Sequence, residues 1–286
     1  MIVVKIFGGF GNQLFQYAMA LKIAKKNKNS LILDLSWFDS TISYATKRNF
    51  DLKFLNLSID TTIRFNDRIK LLFYNNSLCK KIPFKRKLRI LNDNDPICFE
   101  ELDNVYLNGY WHSYKYFDDV KDDLFNDFSL KYNIDINSDF RNQILSENNS
   151  VSIHIRRTDY VNNPYYAQCS MQYFQNAMNL IAKKIENPVF FIFSDDLDYV
   201  KKNLKINNTV YYASNKNSEI STIEDFFNMQ SCKHHIISNS TFSWWASWLN
   251  PNPNKIVVIP KHWYTNPDED SSGYYLDSYI ISDNVH

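Results

Sequence analysis

Arg156 and Arg157 stand together at the end of Val151-Ser152-Ile153-His154-Ile155, where apolar and polar residues alternate. The two-residue period predicts a strand over 151–157 that delivers both guanidiniums at its carboxyl end. Such a pair is costly to bury without an anion. At the mouth of an α/β sheet it would hold a diphosphate through paired, charge-assisted hydrogen bonds. The plainer alternative is a surface Arg-Arg pair bridged to carboxylates, an arrangement that contributes little to stability.

Three more polar clusters fall where strands are expected to end. Gly8, Gly9 and Gly11 are three of the five glycines in the chain. Their clustering asks for positive φ or close backbone approach. Asn12 follows at the expected start of a helix, where it would face an anion or a sugar hydroxyl; a tight structural turn is the alternative. The spacing is not GxGxxG, so no dinucleotide site is inferred. Ser194-Asp195-Asp196 closes the apolar run 188–193, and Asp196-Leu197-Asp198 forms a DxD that could hold a divalent metal on a nucleotide-sugar diphosphate. The simpler role is for Asp195 or Asp196 to cap the next helix, and two arginines make a metal less necessary. Finally, Ser238-Asn239-Ser240-Thr241-Phe242-Ser243 leads into a helix whose first hydroxyls and amides suit phosphate oxygens, unless Ser240 or Thr241 is an ordinary cap. His154, His112, Asp159 and Asp34 are the acid/base candidates. A lone strand histidine is more often a hydrogen-bonded structural residue, and the residue types alone select no base.

These residues need elements to carry them. Strands are expected over 2–7, 31–35, 105–110, 151–157, 188–193, 209–213, 234–238 and 255–259. Helices are expected over 12–26, 62–74, 114–128, 171–185, 197–204, 220–232 and 241–249. Strands alternating with helices mean parallel sheets with ligands at the strand carboxyl ends. Trp244 and Trp248 are four apart, hence on one helix face and in the core. The polar stretch 133–150 is the expected boundary, dividing the chain into 1–145 and 146–286.

The 286 residues suffice for two domains, and 44% hydrophobic content supports a sizeable core. A formal charge of +1 argues against a general nucleic-acid binder. Cys79, Cys98, Cys169 and Cys232 form no CxxC pair, which fits a reducing compartment better than a disulfide framework or zinc site. The apolar start, 1–7, is short and runs into the glycines, so it is expected to be a strand rather than a signal peptide or anchor. No window reaches the roughly 18 apolar residues of a membrane span. In 80–89, six of ten residues are Lys or Arg. That run is either a solvated surface segment or a contact with an anionic membrane surface.

Taken in order, four segments form a pattern: Gly8-Gly9-Phe10-Gly11-Asn12-Gln13-Leu14-Phe15-Gln16-Tyr17-Ala18, His154-Ile155-Arg156-Arg157-Thr158-Asp159-Tyr160, Phe193-Ser194-Asp195-Asp196, and Ser238-Asn239-Ser240-Thr241-Phe242-Ser243-Trp244-Trp245-Ala246. The pattern resembles the bacterial α-1,2-fucosyltransferases, glycosyltransferase family 11. Gly109-Tyr110-Trp111-His112-Ser113 also looks like a family segment, with His112 where glutamine is usual; Thr158 stands where glycine is usual. The resemblance implies an α/β, GT-B-like fold with two Rossmann-like domains facing a cleft. The acceptor would lie on the 1–145 side and GDP-fucose on the 146–286 side. It implies inverting, metal-independent and cofactor-free transfer of L-fucose from GDP-β-L-fucose to a galactoside 2-hydroxyl, in a surface glycan such as an O-antigen. The enzyme would be cytoplasmic, peripheral on the inner face of the membrane through 80–89.

On this resemblance Arg156 stabilises the departing β-phosphate, assisted by the amides of Ser240, Thr241 and Phe242. Arg157 orients the motif through an ion pair, with Asp159 as a partner, and Asp159 joins Arg156 and Asn12 in the catalytic set. His154 contacts the nucleotide or holds the loop, and Asp195 or Asp196 positions the nucleotide. Asn12, behind the glycine loop of Gly9 and Gly11, orients the acceptor or the fucose. The rival readings are a transferase for another GDP-sugar, a metal-dependent enzyme using Asp196 and Asp198, and a non-enzymatic glycan-binding module.

Overall fold

The computed structural model describes residues 1–39, 48–64, 88–93, 95–132, 134–136, 138–157, 161, 163–214 and 220–285. The chain divides into two units, Met1–Tyr132 and Asn133–His286, earlier than the 145/146 division expected from composition. The helix Asp139–Ser146 explains the difference. It forms inside the polar stretch, is capped by Ser138, and is tied to the second unit by Arg141, which donates to the Phe227 carbonyl at 3.2 Å and to Asn228 at 3.3 Å.

In the first unit, Ile2–Lys5 (β1), Leu31–Asp34 (β2), Thr61–Ile63 (β3), Arg89–Asn92 (β4) and Val105–Asn108 (β5) form a sheet in the order β3-β2-β1-β5-β4, every pairing parallel. The apolar, buried residues Ile2, Val3 and Val4 of β1 fit a central strand covered on both faces. Phe10–Lys26 (α1) follows β1 and buries Leu14, Tyr17, Ala18 and Leu21. It starts two residues before the expected Asn12. Gly8 alone takes positive φ, 77°, while Gly9 is extended at the N-cap, so Gly11 lies inside the helix. Thr61–Ile63 is a strand where a helix over 62–74 was expected, and residues 65–74 lie outside the described residues. The helix expected over 114–128 is broken. Two 3₁₀ turns, Tyr114–Tyr116 and Asp118–Val120, precede Lys121–Asp127 (α2). Of the basic run 80–89, only Leu88 and Arg89 fall among the described residues.

The second unit holds Asp139–Ser146 (α3), Ser150–Ile155 (β6), Met171–Ala182 (α4), Val189–Ser194 (β7), Leu197–Asn203 (α5), Val210–Tyr212 (β8), Ser221–Ser231 (α6), His234–Ile236 (β9), Thr241–Trp248 (α7), Val257–Pro260 (β10) and Ile280–Ser282 (β11). The parallel sheet runs β11-β10-β9-β6-β7-β8. The chain therefore builds outward from β6 through β7 to β8, then restarts on the other side of β6 with β9. The gap between the carboxyl ends of β6 and β9 is the topological switch point, the place where open α/β sheets bind ligands. In the first sheet the runs β1-β2-β3 and β4-β5 meet between β1 and β5, with β4 laid down at the edge before β5; that meeting point is taken as its switch point.

All six residues of β6 are buried, including the polar ones. Their alternation does not mark a solvent face. Ser152 pairs with His235 at 2.8 Å and His154 with Ser238 at 3.0 Å, so the polar positions Ser152 and His154 of β6 find partners on β9 and just past its end. Val151, Ile153 and Ile155 pack with Phe190, Ile192, Tyr173, Phe174 and Ile181 in one core. Trp244 and Trp248 are buried and stacked at 6.0 Å, as their spacing requires. Among the described residues no helix is long and apolar enough to cross a membrane.

Candidate active site

The switch point of the second sheet gathers three of the expected clusters. β6 ends at Ile155, and Arg156 and Arg157 follow directly. β7 lies beside it and supplies Asp195 and Asp196. Arg156 Nη1 meets Asp195 Oδ2 at 3.1 Å, and both side chains are about one-fifth exposed, at 22% and 19%. Asp195 also accepts the Arg157 backbone N–H at 2.9 Å. Arg157 Nε donates to Asp196 at 3.3 Å, and its guanidinium lies 3.2 Å from the centroid of the Tyr199 ring. The two arginines are thus aimed differently. Arg157 is fastened down by an ion pair and an aromatic face. Arg156 is steered by the Asp195 carboxylate.

Asp196 does the work of a cap. Its Oδ1 accepts the Tyr199 N–H at 3.2 Å, and its own N–H donates to Ser194 Oγ at 3.1 Å. Both Asp196 oxygens are therefore engaged within the protein, one by the helix and one by Arg157. Among the described residues no cluster of three or more His, Cys, Asp or Glu is placed to hold a metal ion. Thr158, Asp159 and Tyr160 lie outside the described residues.

On the β9 side the chain passes through Ser238, Asn239 and Ser240 into α7. Ser240 is the N-cap residue, yet its hydroxyl makes no capping bond. The helical ladder begins with the Trp244 N–H donating to the Ser240 carbonyl at 3.0 Å. The amides of Thr241, Phe242 and Ser243 precede that ladder, at the positive end of the helix dipole. His154 reaches across from β6 to Ser238, with its ring 5.6 Å from that of Phe242. Burial and the nearby Arg156 charge push this imidazole down to about 4, so it is neutral at pH 7.

Asn239 holds the neighbouring loops in place. Its buried amide donates to the Ala167 carbonyl at 2.7 Å and to the Trp263 carbonyl at 2.8 Å. The loops that leave β6 and β10 are thereby hung from the turn that starts α7.

The switch point of the first sheet carries the glycine motif. Gln13 Nε2 donates to the Gly8 carbonyl at 3.0 Å and to the Asn49 carbonyl at 2.7 Å, while its oxygen accepts the Asp51 N–H at 3.1 Å. Gln16 closes a two-way bond with the Phe7 backbone at 3.0 and 3.2 Å. Two buried glutamines on α1 thus clamp the turn that delivers Asn12. A Cβ on Gly8 would sit 3.1 Å from Asn12 Nδ2. Asn12 Oδ1 lies 3.3 Å from His112 Nε2, just past the end of β5. Of the acid/base candidates, Asp34 is structural. It is fully buried, accepts the Ser36 N–H at 2.9 Å, and bonds the Tyr106 hydroxyl.

Gln13, Gln16, Asn239 and Asp93, whose part is described below, were not singled out from sequence. Only the glutamines carried a signal there, as amides on the apolar face of an expected helix.

The sequence model of the family described as Glycosyl transferase family 11 matches residues 1–281. Among curated proteins, the Escherichia coli O-antigen biosynthesis glycosyltransferase WbnK is 34% identical, over 96% of this chain and 97% of its own. An Escherichia coli α-1,2-colitosyltransferase is 30% identical, over 94% of each. Among solved structures, the α-1,6-fucosyltransferase NodZ from Bradyrhizobium, soaked with GDP-fucose, matches with a TM-score of 0.50 at 17% identity, over 88% of this chain and 96% of that one. That likeness concerns the fold. Together with two parallel Rossmann-type sheets, it identifies the architecture as GT-B-like.

Proposed function

The chain belongs to glycosyltransferase family 11 and is a glycosyltransferase; on that premise we propose that it transfers L-fucose, with inversion, from GDP-β-L-fucose to the 2-hydroxyl of a galactose in a surface glycan of the O-antigen kind. The observation that carries the donor side is the pairing, at one switch point, of the Asp195-steered Arg156 with the amide-lined start of α7. Both features favour a diphosphate.

In the reaction, the acceptor hydroxyl loses its proton to solvent and its oxygen bonds to fucose C1 as the bond from C1 to the β-phosphate oxygen breaks. Positive charge grows on the fucosyl ring and negative charge on GDP. Arg156 and the amides of Ser240, Thr241 and Phe242 stabilise the departing phosphate. Asp195 aims Arg156, while Asp196 holds Arg157 and caps α5. His154, neutral and bonded to Ser238, holds the α7 turn in place. Asn12 orients the acceptor or the fucose. Asp159 is retained in the catalytic set from its place in the arginine motif. We assign no cofactor and no metal to the reaction. The basic run 80–89 is assigned to contact with the inner face of the membrane.

The test is transfer from GDP-fucose to a panel of β-galactosides in the presence of EDTA. The expected product carries α-1,2-linked fucose. Absence of GDP binding would overturn the donor site, and loss of transfer in EDTA would overturn metal independence. A second reading, another sugar donor on the same scaffold, is favoured by the 30% identity to a colitosyltransferase. Competition between GDP-fucose and other GDP-sugars separates the two.

A further inference from the structure

The turn that leaves β5 holds an unfavourable conformation. Trp111 has φ 59°. A bulky side chain in that region is an outlier. Trp111 is 1% exposed, and its indole N–H has no hydrogen-bond partner among the described residues. The surroundings enforce this shape. Asp93 Oδ1 accepts the Tyr110 N–H at 2.7 Å and the Trp111 N–H at 2.8 Å. Gly109 leaves room for that carboxylate, since a Cβ there would lie 2.5 Å from Asp93 Oδ1. The consequence falls on the next residue. His112 is stacked on Tyr110 at 4.9 Å, set edge-on to Phe15 at 5.1 Å, and brought to Asn12.

We propose that His112 is the positioning residue for Asn12, and that the Asp93-clamped turn exists to present it. An amide oxygen only accepts, so the bond requires the Nε2–H tautomer of His112, donating to Asn12 Oδ1. That bond fixes which way the amide faces. The Asn12 nitrogen then lies over Gly8, at the glycine turn, on the side that the proposed function gives to the acceptor or the fucose. Burial pushes His112 down to about 3, so the imidazole stays neutral throughout the physiological range and is a poor proton acceptor for the reaction. The proposal rests on the reading of Asn12 as a residue that orients a substrate.

Two measurements test it. In the first, glutamine, which keeps a neutral N–H donor, is compared with leucine, which does not. His112→Gln is expected to stay within about threefold of the parent, whereas His112→Leu loses on the order of a hundredfold in kcat/KM, the scale of a misplaced reacting group. GDP affinity should be unchanged in both, and a parental thermal midpoint shows that they fold. In an Asn12→Ala background the leucine change should add little. Equal activity of the leucine and parent enzymes, or full additivity, would overturn the proposal. The second measurement does not depend on the donor or acceptor. Ring nitrogen NMR of the free protein should show His112 as the Nε2–H tautomer, and Asn12→Ala should mix the tautomers. A tautomer indifferent to Asn12 would sink the pair even in an active enzyme. Absence of fucosyl transfer by the parent, with the tautomer result intact, would point to the functional reading instead.

Discussion

On the proposed donor site two demands meet at Arg156: the charge would have to face a diphosphate and be held there without being neutralised. Asp195 meets both by taking one edge of the guanidinium while also binding the Arg157 backbone. Arg156→Ala should therefore lower kcat on the order of 10²–10³-fold, the cost of losing one donor aimed at growing charge. Thermal stability should hardly change, because a partly exposed ion pair contributes little. Near-normal turnover would remove Arg156 from the reaction. Its place at the end of a strand was legible in the sequence, because the alternation over 151–155 marks that strand. Asn239 and Asp93 were not. Their roles are set by partners, Ala167 and Trp263 for one and Tyr110 and Trp111 for the other, that become neighbours only when the chain folds.

Among the elements, legibility followed length and burial. The long run of α1 and the apolar strands β6 and β7 were evident from periodicity. The short strands β3, β4 and β11 were not, since three or four partly exposed residues carry too little pattern. The elements that matter for the site are held at their ends, and two substitutions probe this. Asn239→Ala takes the amide donor from the Ala167 carbonyl in a buried turn, while the Trp263 carbonyl keeps the Ala167 N–H at 3.3 Å. It should cost about 1–3 kcal/mol, the scale for an unsatisfied group, and should weaken GDP binding together with the urea midpoint. A parental midpoint would show that the loops are held by other means. Gly8→Ala places a Cβ on a residue at φ 77° and against Asn12 Nδ2. The backbone cost is about 1–2 kcal/mol, but the displaced amide should reduce transfer by far more than that cost explains. Activity that falls only in step with stability would count against a special place for Asn12.

For the whole molecule, the buried imidazoles set the response to acid. His154 is pushed down to about 4 by burial and by Arg156, and His112 to about 3 by burial. Burial, with Lys255 and His234 nearby, holds His235 well below its ordinary range. The unfolded chain takes up protons on these residues near pH 6.5, while the folded chain does not. As pH falls below 6.5 the unfolded state binds more protons, so stability must fall with it. The slope approaches about 1.4 kcal/mol per pH unit for each imidazole kept neutral in the fold. Carboxylates titrate lower, near 4, so the window from pH 6.5 to 5 isolates the histidines. Four of the six tryptophans, Trp244, Trp245, Trp248 and Trp263, lie in the second unit with His154 and His235. Urea unfolding followed by tryptophan fluorescence therefore reports mainly on that unit. Its midpoint should drop steadily from pH 6.5 to 5, and His235→Gln should flatten the slope. A midpoint constant across that window would mean that these imidazoles are protonated in the folded chain. The neutral His154 that braces the α7 turn would then have to be abandoned.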